Sequence, residues 1–301
     1  MTRTTQEFGS DHTKSKLDAV QKYLSAFTTA LKKQKFTLLY VDACAGSGSS
    51  MPKGLRTKIA AYEGQTGLLG QKIVLDADQI VEGSAARALS VSPPFDHYLL
   101  NDVKRANIKS LQALVRGEYA HLEDRVTFTQ RDANEILLEL SQTTNWKQTR
   151  AVVFIDPFGL QIKYDTLRAL ARTEAVDVWY LVPVFAMFRQ VRGDGQVIDD
   201  GGRSVDDALG TTDWRKAVAV EHRMPGLFED EVVYSTKAVD VAWFEKVAKE
   251  RLASAFGGRV LDRALPLGRN GLHEFSLMFA SANPSDRAWN LASKLATAVL
   301  K

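Results

Sequence analysis

The chain has 301 residues, of which 45% are hydrophobic and 25% are charged, and this ordinary globular balance excludes wholesale disorder. Its single cysteine, Cys44, excludes a disulfide framework and a cysteine-based metal cluster, and the net charge of +3 is too small to mark a nucleic-acid binder by itself. The N-terminal residues lack the apolar core of a signal peptide, and the longest strongly apolar run, Val178–Phe188, is shorter than the ~20 residues that span a bilayer. We therefore expect a cytoplasmic protein with no membrane partner.

The first two thirds of the chain alternate between helical and strand patterns. Apolar residues at helical spacing between Leu17 and Leu31 predict an opening helix. Five short apolar runs follow, with helical patterns between them, and this alternation predicts a parallel sheet that is covered on both faces. The predicted strands are Phe36–Ala43, Phe95–Asp102, Arg125–Asp132, Ala151–Pro157 and Asp177–Pro183, and the predicted helices are Ser84–Ser90, Val103–Val115, Asn134–Ser141 and Tyr164–Ala171.

The C-terminal third has a different pattern. After a predicted helix at Val241–Phe256, the runs Arg259–Leu267 and Leu272–Ser281 are joined by a short segment with two glycines, which predicts an antiparallel hairpin. The last helix is expected to begin with Asn283 as its cap and Pro284 as its first helical residue.

Two segments, residues 51–82 and 189–235, do not follow the alternation. Segments of this length within a compact domain are usually functional or mobile. We expect both to be insertions at one rim of the sheet, within a single domain that covers residues 1–301.

Each of the first four predicted strands ends in an acidic residue. Ligands of open α/β sheets bind outside the carboxyl ends of the strands, near the point where the strand order reverses. One aspartate at such a position is usually a helix cap, but four beside a glycine turn indicate a ligand site. These residues are Asp42, Asp102, Asp132 and Asp156.

The glycine turn spans Val41–Ser50. Gly46 and Gly48 allow the backbone to approach a ligand, and their N–H groups can face a carboxylate or a phosphate. The turn lacks the third glycine of GxGxxG, and it is not a P-loop. For Cys44, inside the turn, the favoured interpretation is a small residue packed under the loop; a nucleophile with a distant partner is the alternative.

The turn resembles motif I of class I S-adenosylmethionine (SAM)-dependent methyltransferases, whose acid and two glycines are matched by Asp42, Gly46 and Gly48. The resemblance implies a Rossmann-like fold with a mostly parallel seven-stranded sheet, an antiparallel C-terminal hairpin and helices on both faces. It also implies that Asp102 holds the ribose hydroxyls of the cofactor and that Asp132 approaches the adenine amino group.

A closer resemblance is to the three-Cys-motif partner protein family (TcmP), which consists of methyltransferase-like proteins of bacteria and phages. The matching segments are HTKSKL (His12–Leu17), YVDACAGSG (Tyr40–Gly48), EGSAARAL (Glu82–Leu89) and FIDPFGLQI (Phe154–Ile162). Because this family is named for the product of a neighbouring gene, the resemblance implies a three-Cys-motif protein as a candidate partner.

The segment IDPFG is similar to the D-P-P-Y/F motif of methyltransferases that act on exocyclic amino groups of bases. Asp156 and Pro157 match that motif, whereas Phe158 takes the second proline position and Gly159 the aromatic position. Phe158 could supply the stacking face one step early, and a strand-ending turn with Phe158 buried in the core is the alternative. The implied catalytic residues are Asp156, Pro157 and Phe158, and the implied SAM-binding residues are Thr13, Lys16, Asp42, Ala45, Gly46, Gly48, Asp102, Asp132 and Ala133. For Thr13 and Lys16, a solvated helix cap is the alternative.

The leading hypothesis is a SAM-dependent methyltransferase, with a base in nucleic acid as the candidate acceptor. A non-catalytic SAM-fold subunit of a two-protein system is the second hypothesis, because the catalytic motif is altered. A nicotinamide-dependent oxidoreductase is disfavoured by the missing third glycine. The five histidines are scattered without an HExxH motif, so no metal is expected.

Overall fold

The computed structural model describes residues 8–50, 81–225, 231–269 and 271–300, and residues 8–14, 49, 50, 81 and 82 among them by their backbone alone. The strands are β1 (Thr37–Asp42), β2 (Ser49–Ser50), β3 (Val81–Glu82), β4 (His97–Asn101), β5 (Val126–Thr129), β6 (Thr149–Ile155), β7 (Val176–Val182), β8 (Ala219–Pro225), β9 (Glu231–Lys237), β10 (Leu265–Leu267) and β11 (Phe275–Ser281). The helices are α1 (Phe8–Leu31), α2 (Ser84–Leu89), α3 (Arg105–Glu118), α4 (Ala133–Thr143), α5 (Tyr164–Ala171), α6 (Val184–Phe188), α7 (Asp199–Leu209), α8 (Val241–Ala255) and α9 (Asp286–Val299).

Seven strands form one sheet in the order β10-β11-β7-β6-β1-β4-β5. β1, β4, β5, β6 and β7 pair in parallel, whereas β11 is antiparallel to both β7 and β10. The strand order therefore reverses beside β1, as in a doubly wound fold, and β1 lies between β4 and β6. The expected mostly parallel seven-stranded sheet with a C-terminal antiparallel hairpin is confirmed.

Both faces of the sheet are covered, because successive side chains of its central strands enter two different cores. Val153 and Ile155 of β6 belong to the core that α4, α5 and α8 cover, whereas Val152 and Phe154 belong to the core that α1, α3 and α9 cover. All four side chains are fully buried. This explains why the strand reads as a continuous apolar run rather than an alternating one.

The C-terminal hairpin is present, but its surroundings differ from the prediction. The last helix begins at Asp286 with Ser285 as the flanking residue, so the expected start at Asn283 and Pro284 is wrong by two residues. The Asn283 side chain instead accepts a 3.0 Å hydrogen bond from the backbone N–H of Ser285. Asparagine favours such a local turn as readily as a helix cap.

The two segments that interrupt the alternation are described to different extents. Residues 51–80 lie outside the described residues, and β2 and β3 pair on either side of them. The second segment contains α7, β8 and most of β9, and β8 and β9 form a two-stranded antiparallel pair. That pair is a separate sheet rather than an extension of the seven-stranded one.

Candidate functional site

The candidate site lies at the carboxyl ends of β1, β4 and β6, where the strand order reverses. Asp42 is the last residue of β1, while Asp102 follows β4 and Asp156 follows β6 directly. Asp132 lies farther from its strand, because β5 ends at Thr129. The four acids lie close enough to Cys44 for the charge of each to contribute to the raised pKa of its thiol.

The glycine turn is held by the next acid along the sheet edge. Gly46 adopts a left-handed conformation (φ +62°), and its N–H donates a 3.0 Å hydrogen bond to Oδ2 of Asp102. Oδ1 of Asp102 accepts a 2.7 Å bond from the N–H of Lys104, and Ala45 donates to the carbonyl of Asn101 at 2.8 Å. A Cβ on Gly46 would meet no described atom within 4 Å, so no described residue fills the space above the turn.

Gly48 has a different environment from Gly46. It is also left-handed (φ +78°), but an added Cβ would approach the Cδ2 atoms of Leu114 at 2.9 Å and Leu111 at 3.1 Å. Its carbonyl accepts a 2.9 Å hydrogen bond from the N–H of Gly83. The side of Gly48 that must stay free of a side chain therefore faces helix α3.

Asp42 is turned inward beneath the turn and is fully buried. Its carboxylate accepts hydrogen bonds from the Tyr40 hydroxyl at 3.3 Å and from the Cys44 N–H at 3.4 Å. Burial raises the pKa of Asp42 to about 7; the Asp156 charge raises it further, and a hydrogen bond with Ser84 opposes the shift. A proton on this carboxyl group is therefore accessible near neutral pH.

Cys44 is unsuited to nucleophilic chemistry. Burial raises the pKa of its thiol far above the ordinary range, and the charges of Asp42 and the other strand-end acids add to the shift. The thiolate is the reactive form of cysteine, so this environment favours the interpretation of Cys44 as a packed residue of the turn.

Asp132 caps helix α4 and is solvent-exposed. Its Oδ1 accepts hydrogen bonds from the N–H of Asn134 at 2.8 Å and from the N–H of Glu135 at 3.3 Å. Ala133, the first helical residue, is buried. The capping bonds engage only Oδ1, and among the described residues Oδ2 accepts no hydrogen bond.

The predicted catalytic acid is in contact with the first helix. Lys16 Nζ donates a 2.6 Å hydrogen bond to Oδ2 of Asp156, and the two side chains are 11% and 30% exposed. The same ammonium group lies 6.0 Å from the ring centroid of Phe154. Thr13 lies in α1, where the structure describes only its backbone.

The turn after β6 presents an aromatic ring to solvent. Pro157 is buried, whereas Phe158 is 92% exposed. Gly159 is left-handed (φ +86°), and its N–H donates to the carbonyl of Pro157 at 3.2 Å. The alternative in which Phe158 packs in the core is therefore wrong.

Two asparagines that the sequence analysis did not single out connect the loops of this edge. The buried Asn101 side chain donates to the carbonyls of Ala43 and Arg131 at 2.9 and 3.0 Å. Asn134 donates to the carbonyl of Gln161 at 2.9 Å and accepts from the N–H of Lys163 at the same distance. An asparagine at a strand end and another beside a helix cap are the signals that could have identified them.

Across the described ranges, no cluster of His, Cys, Asp and Glu side chains has a metal-binding arrangement. No helix among the described residues is long and apolar enough to cross a membrane.

No family model matches the chain, and no curated protein matches it. Among solved structures, the protein LPL1258 from Legionella pneumophila, a DUF519 protein, is 15% identical over 92% of this chain and 98% of its own length, with a TM-score of 0.39. The putative methyltransferase yhhF from Escherichia coli is 13% identical, covers 72% of this chain and 87% of its own, and has a TM-score of 0.28. A spermidine synthase in complex with the transition-state analogue AdoDATO is 13% identical over 92% and 60% of the two chains, with a TM-score of 0.36. At such low scores the fold assignment rests on the strand order of this chain.

Proposed function

We propose that this chain is a SAM-dependent methyltransferase of the TcmP family, and that its acceptor is an exocyclic amino group of a base in nucleic acid. The observation that carries the proposal is that a carboxylate and an exposed aromatic ring lie two residues apart at the end of β6. Asp156 offers hydrogen-bond acceptors, and Phe158, two residues on, is 92% exposed. An exposed aromatic face beside an acceptor group suits an unstacked base.

The edge of the sheet fits the cofactor. Above Gly46, where a Cβ would meet no described atom within 4 Å, the backbone can be approached closely. Asp102 lies at the end of the neighbouring strand, and Asp132 beyond it keeps one carboxylate oxygen outside its capping bonds. These residues would hold the adenosine of SAM, which supplies an electrophilic methyl group when bound.

The remaining residues would act on the acceptor. Asp156 would accept a hydrogen bond from the amino group and so direct the nitrogen towards the methyl group, while Phe158 would stack on the base. Lys16 would position Asp156 through the contact at 2.6 Å. Orienting the reacting groups in this way is a large source of rate enhancement.

A second candidate function is a non-catalytic subunit of a two-protein system. The Lys16 ammonium group already occupies one oxygen of Asp156, and IDPFG lacks the second proline of the base-methylating motif. A chain of this kind would bind SAM, or its three-Cys-motif partner, without transferring a methyl group.

Asp156→Ala tests the enzymatic proposal. Wild type and variant are incubated with labelled SAM and with total RNA or DNA from a strain that lacks the gene, with and without the neighbouring gene product. We expect the variant to bind SAM within a few-fold of wild type and to lose about two orders of magnitude in methyl transfer. Asp124→Ala, an exposed acid in the turn before β5, is the matched control. SAM binding without any labelling by wild type favours the second candidate.

A further inference from the structure

A cavity of about 540 Å³ opens at the edge of the sheet opposite the candidate methyl-transfer site. Its lining includes Phe36 before β1, Arg150 near the start of β6, Asp177 near the start of β7 and Ser281 at the end of β11. β6 and β7 have seven residues each, so roughly 20 Å of strand separates this cavity from Asp156. The two sites are therefore distinct.

Two helices supply the apolar walls of the cavity. The volume falls within the range of ~300–1,000 Å³ that is usual for small-molecule sites, which are mostly apolar with a few polar groups. Leu291, on the outer helix, is 44% exposed although it faces this space. The wall residues are Phe27, Ala30 and Leu31 of α1 and Ala288, Leu291 and Leu295 of α9.

Two arginines bring positive charge to the cavity. Arg150 stacks on Phe36, with its guanidinium carbon 3.9 Å from the ring centroid, and its Nη1 donates to the carbonyls of Trp146 and Thr149 at 2.8 and 2.7 Å. Arg287, in the first turn of α9, is exposed. Among the described residues, neither arginine forms an ion pair, and Nε and Nη2 of Arg150 make no hydrogen bond.

One acid, Asp177, also lines the cavity, on the strand next to that of Arg150. It is 8% exposed, and Oδ2 accepts a 2.7 Å hydrogen bond from the hydroxyl of Tyr23. Burial raises the pKa of Asp177, while the hydrogen bond from Tyr23 and the charge of Arg150 oppose that shift. With two arginines and one acid among its lining residues, the cavity keeps a net positive charge.

We propose that this cavity binds an amphipathic carboxylate, whose apolar body lies between α1 and α9 and whose head group pairs with Arg150 and Arg287. A carboxylate has two oxygens in one plane, which match the planar donors of a guanidinium group. It would supply the acceptors that Nε and Nη2 of Arg150 lack among the described residues. Apolar burial of the ligand body would provide most of the affinity.

Titration calorimetry of the full chain tests this proposal with two probes that share a ten-carbon tail, decanoate and decylamine, both below their micelle concentrations. We expect saturable 1:1 binding of decanoate, with decylamine at least about tenfold weaker, equivalent to about 1.4 kcal/mol. Tighter binding of decylamine, or no saturable binding of decanoate, overturns the proposal.

Three variants separate the head-group contact from the apolar contact. Arg150→Gln and Arg287→Gln are each expected to weaken decanoate binding about tenfold, and Ala288→Trp is expected to abolish it by filling the space. Arg172→Gln, an exposed arginine that follows α5, is the matched control. Because Arg150 also bonds to main-chain carbonyls, the exposed Arg287 carries the test if Arg150→Gln does not fold. Unchanged decanoate affinity in Arg287→Gln overturns the proposed head-group pairing.

Discussion

Lys16 and Asp156 form a hydrogen-bonded ion pair that joins the first helix to the carboxyl end of β6. The two residues are 140 positions apart, and Nζ lies 2.6 Å from Oδ2. The lysine side chain is 11% exposed and the aspartate side chain 30%. The pair connects α1 to the candidate site. Removing one partner of a largely buried pair leaves the other charge uncompensated, so the loss of either residue should disturb this contact.

Lys16→Met should disturb the orientation of Asp156. We expect kcat for methyl transfer to fall by about tenfold or more, because small displacements of a positioning group have large effects on rate, while Lys16→Arg restores most of the activity. The measurements are kcat and KM with labelled SAM, together with the dissociation constant for SAM. Lys22→Met, on an exposed position of the same helix, is the control.

The same variant decides between two roles for Lys16. A positioning residue changes kcat, whereas a ligand of the methionine carboxylate of SAM changes cofactor affinity. A large loss of SAM affinity with unchanged kcat would show that Lys16 moves to the cofactor and that the pair with Asp156 has no part in the reaction.

Asp42 should make the folded state less stable as the pH rises. Burial raises the pKa of Asp42 from 3.8 to about 7, so between these values the folded protein holds a proton that the unfolded chain has released. The stability that this proton contributes is therefore present below pH ~4 and is lost as the pH rises through about 7. Asp42→Asn cannot ionise, and so it should gain stability relative to wild type over this window.

Urea unfolding of wild type and Asp42→Asn at pH 5, 6, 7 and 8 measures this difference. At about 1.4 kcal/mol per pKa unit, the shift corresponds to at most roughly 4 kcal/mol. Asp124→Asn keeps Asp42 and changes only an exposed acid, so its stability should follow the pH dependence of wild type. Parallel stability curves for wild type and Asp42→Asn would mean that the carboxylate is accommodated as a charge in the folded protein.

The sequence predicts the sheet well, because both faces of its central strands are buried and the strands therefore read as apolar runs. It also predicts that four acids gather at one edge, since the carboxyl ends of parallel strands share that edge. Helix α7 is missed because its glycines and aspartates oppose helix formation in isolation. Val205 and Leu209, one turn apart, are buried, and the packing of this face outweighs the local preference.

The local sequence pattern does not determine where each side chain at this edge of the sheet points. Gly48 looks like a glycine that makes room for a ligand, yet its free side faces Leu111 and Leu114, which lie more than sixty positions away along the chain. In the same way, the contact of Lys16 with Asp156 depends on how α1 lies across the sheet. Such relationships follow from tertiary packing, which spacing along the chain does not encode.

Asp132→Asn separates helix capping from cofactor binding. Asparagine is as good a helix cap as aspartate, so the stability of the variant should stay close to that of wild type. If the carboxylate meets the adenine amino group of SAM, its loss should weaken SAM binding about tenfold or more, as for a hydrogen bond to a charged group. Calorimetry with SAM measures the effect, with Asp165→Asn as the control on an exposed acid of α5. Equal SAM affinities for Asp132→Asn and wild type would limit Asp132 to its capping role.

Phe158→Ala addresses the acceptor rather than the cofactor. The ring is 92% exposed, so its removal creates no cavity, and the free energy of unfolding should stay within about 0.5 kcal/mol of the wild-type value. If the ring stacks on a base, its loss should remove about 1–3 kcal/mol of acceptor binding. That corresponds to an increase of roughly 5- to 150-fold in the KM for nucleic acid, with the affinity for SAM unchanged.

Phe158→Trp keeps a stacking face and should retain near-normal KM, whereas Leu272→Ala, which removes another exposed apolar side chain, should have no effect. A KM that is the same in Phe158→Ala and wild type would show that the acceptor is held by other residues and that the exposed ring has no role in recognising a base.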